Sequence, residues 1–109
     1  MANPYWKDRR IEIHKMFQEL LGPGNEKHVY YNPPEGIKME YPAIRYMRDG
    51  IPSRAADDMV YKTNHTYICT LITREAESPL VDAMARLPHI RYSRHYKADN
   101  LNHDVFTIY

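Results

Sequence analysis

Six histidines, at 14, 28, 65, 89, 95 and 103, are the side chains with the most chemistry to offer in this 109-residue chain. No two of them stand four apart on a helical face, so the His-Glu-x-x-His zinc pattern is missing. The best cluster is His95, His103 and Asp104, which a hairpin could bring together across its turn. A metal there would need two imidazoles, a carboxylate and fixed outer partners. The favoured reading is histidines that hydrogen-bond locally at the surface. Cys69 is the single cysteine, which excludes an intrachain disulfide and the common Cys-ligated zinc sites. It falls in an apolar run, where burial makes a thiol inert. Asp57-Asp58 point to opposite faces if extended, and Glu75 and Glu77 precede a helix whose N-terminal dipole they complement. Ser53, Ser78 and Ser93 lie in no nucleophile elbow, and Gly22-Pro23-Gly24 lacks the context of a phosphate cradle. No catalytic set, metal site or cofactor site emerges, and the chain is expected not to be an enzyme.

The elements that would position these residues follow from periodicity. Ile13, Met16, Phe17, Leu20 and Leu21 form one helical stripe, which Trp6 extends. Asn3 and Pro4 suit the start and Gly22-Pro23-Gly24 the stop, so a helix is predicted over about 4–21. His28–Tyr31 reads as a short edge strand ahead of Pro33-Pro34, and 32–41 as a loop. Pro42–Arg48 reads as a second strand, followed by a charged loop over 49–58. Met59–Thr73 reads as one long strand with Tyr67, Cys69 and Leu71 on one face. Its polar first half is expected to project as a hairpin arm and its apolar second half to enter the core. Ser78-Pro79 opens a second helix, over 78–87, whose stripe is Leu80, Val81, Met84 and Leu87. Ile90–Tyr96 is a strand with Ile90, Tyr92, Arg94 and Tyr96 on one face. A turn over 97–102 leads to a last strand with Phe106 and Ile108 on one side.

This order predicts an α+β fold: a mainly antiparallel four- to five-stranded sheet, two helices packed on one face, and a long projecting β-hairpin. Residues 1–109 are expected to form a single domain. Fifteen Lys and Arg against fourteen Asp and Glu give a formal charge of +1. That balance argues against a dedicated nucleic-acid binder or a protein acting on membrane surfaces. The basic-aromatic run Arg91, Arg94, His95, Tyr96, Lys97 keeps single-strand binding as a distant alternative. No stretch approaches the ~20 apolar residues of a membrane span, and the N-terminus carries no apolar signal region. Folding in a reducing cytoplasm is the expectation.

What remains is an interaction module. Ten tyrosines are many for so small a core. Tyrosine suits interfaces, because it offers area with a polar tip, and it equally suits strands. Tyr41-Pro42-Ala43-Ile44-Arg45-Tyr46, after a Pro-rich loop, resembles the Y/F-P-x-I/V-x-Y strand of small neck and tail proteins of tailed bacteriophages. The closing segment Arg94–Tyr109 is similar to a recurring C-terminus in one such group, and the element order resembles the tail-terminator, or tail-completion, family.

The resemblance implies a virion protein without enzymatic activity, assembled in the host cytoplasm. As a homohexameric ring it would cap the tail tube, end tube growth and join the head-side connector, with phage DNA passing through. Partners would be further copies of itself, the tail tube protein and the connector or stopper. Two regions would supply the contacts: Arg48, Asp49, Arg54, Asp57, Asp58 and Lys62 around the mid-chain loop, and Arg94, Lys97, Asp99, Asn100, Asn102, His103 and Asp104 around the last turn. The sister roles are a head–tail stopper, expected to be closer to a β-barrel, and a head-completion protein. The second helix favours the terminator.

Overall fold

The fold is given by a computed structural model that describes residues 5–50, 53–56, 59–63 and 65–109, with side chains over 8–49 and 65–109. Helix α1 (Tyr5–Leu21) comes first and carries the apolar stripe read from the sequence. Ile13, Phe17 and Leu21 are buried, and Phe17 is fully so. The helix stops at Gly22, whose φ of 85° is the left-handed geometry that glycine adopts without a Cβ clash. Its N–H still reaches the Gln18 carbonyl at 3.2 Å. The expected cap, Asn3 and Pro4, lies outside the described residues, as does the side chain of Trp6.

A 3-10 turn (Glu26–His28) leads into β1 (Val29–Tyr31), the predicted short edge strand. It pairs with β2 (Ala43–Gly50), and this pairing is parallel, so the sheet is mixed. His28 is buried, against the expectation of surface histidines. Its two ring nitrogens meet the Pro42 carbonyl and the Glu40 carboxylate, each at 3.0 Å, which pins the loop between β1 and β2.

The mid-chain differs from expectation in two ways. The supposed loop over 49–58 contains β3 (Ser53–Ala56), and the supposed single strand is β4 (Met59–Thr63) and β5 (Thr66–Thr73). Strands β3 and β4 pair with each other as a separate two-stranded sheet. The physical reason is lost register. The β2–β5 ladder shifts between Arg48 and Gly50, and the β3–β4 ladder shifts again between Arg54 and Ala55. Such irregularities break the ladder and sharpen local twist, so one long pairing divides. Asp57 and Asp58 lie outside the described residues.

Helix α2 (Pro79–Ala85) starts as predicted: the Ser78 hydroxyl oxygen accepts from the Leu80 N–H at 3.2 Å, and Pro79 sits in the first turn. It ends two residues short of the predicted Leu87, where the Arg86 N–H donates to the Ala83 carbonyl at 3.3 Å and the Leu87 N–H to the Met84 carbonyl at 3.1 Å. Strands β6 (Ile90–Ala98) and β7 (Leu101–Ile108) close the chain as a hairpin. Its turn is only Asp99–Asn100, both at positive φ, rather than the longer 97–102. That geometry suits Asp and Asn, which tolerate the left-handed region.

The main sheet runs β1-β2-β5-β7-β6. Its core face gathers Ile44, Tyr46, Tyr67, Cys69, Leu71, Phe106 and Ile108 against Ile13, Phe17 and Leu21 of α1 and Met84 of α2. Both described helices therefore lie over one face. Aromatic rings dominate this layer. Tyr46 is fully buried, with Phe17 at 5.4 Å, Tyr31 at 4.9 Å and Tyr67 at 5.9 Å between ring centroids. Its hydroxyl is satisfied by the Nδ1 of His14 at 2.7 Å.

Two outcomes follow. Phe17→Ala should cost about 3–5 kcal/mol, since truncating a buried phenyl ring leaves a cavity under the sheet, and urea unfolding will measure it. Burial pushes both the Cys69 thiol and the Tyr46 hydroxyl up to about 12. Above roughly pH 9 the unfolded chain then sheds protons that the folded chain keeps, so stability must fall as pH rises. The slope reaches at most ~1.4 kcal/mol per pH unit for each group. Urea midpoints between pH 9 and 11 should decline, and Cys69→Ala should make the decline shallower.

Candidate functional site

Strand β6 decides what each face of the sheet presents. Its register against β7 shifts between Tyr92 and Arg94, with Tyr92 opposite Phe106 and Arg94 opposite Val105. Ser93 is the extra residue of a bulge, and a bulge reverses the alternation beyond it. This corrects the predicted face of Ile90, Tyr92, Arg94 and Tyr96. Ile90 and Tyr92 stand on the helix side with Phe106 and Ile108, while Arg94 and Tyr96 stand on the opposite side with Val105 and His103. The basic-aromatic run 91–97 is therefore divided between faces and does not form one nucleic-acid surface.

The His95, His103 and Asp104 set, weighed as a metal cluster and not favoured, is likewise divided between faces. His95 pairs with Asp104 in the ladder and shares its face, but His103 falls on the other. There it stacks on Tyr96, with ring centroids 4.6 Å apart and planes 8° from parallel. Among the described residues, no three His, Cys, Asp or Glu side chains are grouped to hold a metal ion.

On the helix side, a cleft of about 640 Å³ opens between α2 and the β6–β7 hairpin. Glu77, Asp82, Tyr92, His95 and Asp104 line it with part of α2. Asp104 is only 4% exposed. The Tyr92 hydroxyl donates to its Oδ1 at 3.1 Å, and its Oδ2 has no hydrogen-bond partner among the described residues. Leaving a buried polar atom unpaired costs about 1–3 kcal/mol, more when it is charged. Burial first, and then the bond to Asp104 and its charge, raise the Tyr92 hydroxyl above its ordinary pKa, so it stays a donor at neutral pH. The His95 Nε2 meets the side-chain amide oxygen of Asn102 at 3.1 Å.

The opposite face has no helix over it among the described elements. Arg45, Met47, Ile68, Arg94, Tyr96 and Val105 line a shallow depression of about 200 Å³ there. The Arg94 guanidinium lies 5.3 Å from the Tyr96 ring centroid, near enough for cation–π attraction.

The residues expected at contacts are thus spread widely. Arg48 and Asp49 are exposed at the irregular end of β2. Arg54 and Lys62 are Cα partners across β3–β4. Arg94, Lys97, Asp99 and Asn100 are exposed, but Asn102 and Asp104 are buried. Sequence reasoning missed the contribution of α2 to the cleft and the role of Tyr92. No residue type marks the bulge at Ser93, so nothing in the sequence placed Arg94 and Tyr96 on the opposite face from Ile90 and Tyr92.

Compared with known proteins, the chain matches no family model, and no curated protein is significantly similar to it.

Tyr92→Phe removes the one hydrogen bond to the Asp104 carboxylate among the described residues. It should lower stability by about 1–2 kcal/mol, with the half-exposed ring left in place. Urea unfolding will show it, and an unchanged midpoint would mean that this bond contributes nothing.

Proposed function

We propose that this chain is a structural subunit of a tailed-bacteriophage virion that caps the tail tube as a ring and ends tube growth. One observation carries the reading. Two helices share one face of an open five-stranded sheet, and α2 sits between β5 and β6 as the terminator layout requires. A head–tail stopper was expected to be closer to a barrel, and this sheet has two free edges, β1 and β6. The Pro-flanked strand that carries the resemblance is β2, which follows the pinned loop.

In this reading the β3–β4 sheet is the projecting arm that meets a neighbouring subunit or the tube. The face without helices, with Tyr96 39% exposed, is contact surface rather than solvent-facing wall. Large exposed aromatics beside arginines are the composition that interfaces favour. The work of the protein is geometric: it presents one surface to the finished tube and another to the connector, and it needs no reacting group.

Electron microscopy of particles from a phage lacking this gene tests the reading beside wild type. Overlong or polydisperse tails detached from heads are the expected result. Tails of normal length accumulating beside unjoined heads would instead assign the stopper role, and normal particles would remove the neck and tail reading altogether.

A further inference from the structure

The two faces of the sheet are complementary in charge. The cleft under α2 carries Glu77 and Asp82 at its exposed rim and Asp104 among its lining residues. The depression on the other face carries Arg45 and Arg94, and no carboxylate is among its described lining residues. Glu77 and Asp82 have an ordinary explanation beside a helix start. Asp104 has none: it is only 4% exposed, lines the cleft, and keeps Oδ2 without a partner among the described residues. His95, the nearest cationic candidate in the ladder, is committed to Asn102.

A carboxylate with one weakly held oxygen and one unpaired oxygen matches a planar fork of N–H donors better than a point charge. We propose that this cleft is a socket for a guanidinium group, and that a second copy of this chain fills it with Arg94. The proposal rests on the ring-subunit reading and refines it by naming the surfaces that meet. Tyr92 is the movable part. It is 46% exposed and is the one hydrogen-bond partner of the Asp104 carboxylate among the described residues, so an entering guanidinium takes its place at Oδ1 while pairing Oδ2. Arg94 is the better donor of the two arginines because it stands on the free edge strand, steadied beside Tyr96, and so loses less freedom on docking. Donor and socket lie on opposite faces of the sheet. Each copy therefore gives one arginine and receives one, a head-to-tail contact that closes as a ring when its rotation allows.

Two measurements test this with the full chain. The first is an amide NMR titration with blocked arginine (N-acetylarginine amide), with blocked lysine as control. Saturable shifts at 77–82, 92–95 and 104 are expected with arginine and weaker ones with lysine. Asp104→Asn should reduce arginine affinity at least tenfold, and the rim variant Glu77→Gln/Asp82→Asn should weaken it less. Absent shifts, or shifts unchanged in both variants, overturn the socket.

The second is sedimentation equilibrium at millimolar protein. Wild type should self-associate, whereas Arg94→Glu and the double variant Glu77→Lys/Asp82→Lys should each stay monomeric. Their equimolar mixture should give a heterodimer that grows no further, because it holds one intact socket and one intact arginine. A monomeric wild type, or an associating Arg94→Glu, overturns the second copy as occupant; with a positive titration it assigns the socket to another protein's arginine. Normal tails in the deletion phage would defeat the tail reading while leaving a positive titration standing, so the two failures are distinguishable.

Discussion

At Ser93 the β6–β7 ladder skips a residue, and every side chain beyond it on β6 changes sides. With regular pairing, Arg94 and Tyr96 would stand under α2, and His95 would face away from Asp104. The bulge instead puts the arginine-aromatic pair on the bare side, away from the acidic groups that stand with the helices. It also falls on an edge strand, where irregularity discourages unwanted strand addition. One local shift therefore gives the sheet two chemically unlike faces, a condition for any contact in which a subunit's front meets its neighbour's back.

That shift is tolerated because the centre of the sheet is rigidly specified. Strand β5 lies between β2 and β7: its Cys69 registers with Tyr46 and Phe106, its Leu71 with Ile44 and its Tyr67 with Ile108. The aromatic layer around Tyr46 also carries its own polar solution. The phenol needs a partner once buried, and His14 on α1 supplies it, with burial and then Arg10 lowering the imidazole pKa. The His14–Tyr46 bond thus joins helix to sheet inside a largely apolar layer, which constrains how α1 can rotate over β2.

Much of this was legible from periodicity. The stripe on α1, the Ser78-Pro79 start of α2, the edge position of β1 and the inward residues of β5 all follow from spacing and from proline's missing N–H. Three features were not. Strand β3 carries Ser53-Arg54-Ala55-Ala56, which has little strand propensity and pairs only because β4 lies opposite. The parallel pairing of β1 depends on a long pinned loop that no local rule specifies. The bulge has no residue signature at all. The candidate site inherits these limits: His95 and Asp104 are brought together as the hairpin suggested, but His103, next to Asp104 on one strand, points to the other face.

The topology also bears on how the chain is made. Helix α1 is the first described element to leave the ribosome, and its Ile13 and Phe17 share a core with Phe106 and Ile108 of the final strand. Arg9 likewise donates to the carbonyl oxygens of His65 and Tyr109. The apolar stripe of α1 is therefore fully covered only once β7 has left the ribosome, so its side of the core closes long after the helix itself can form.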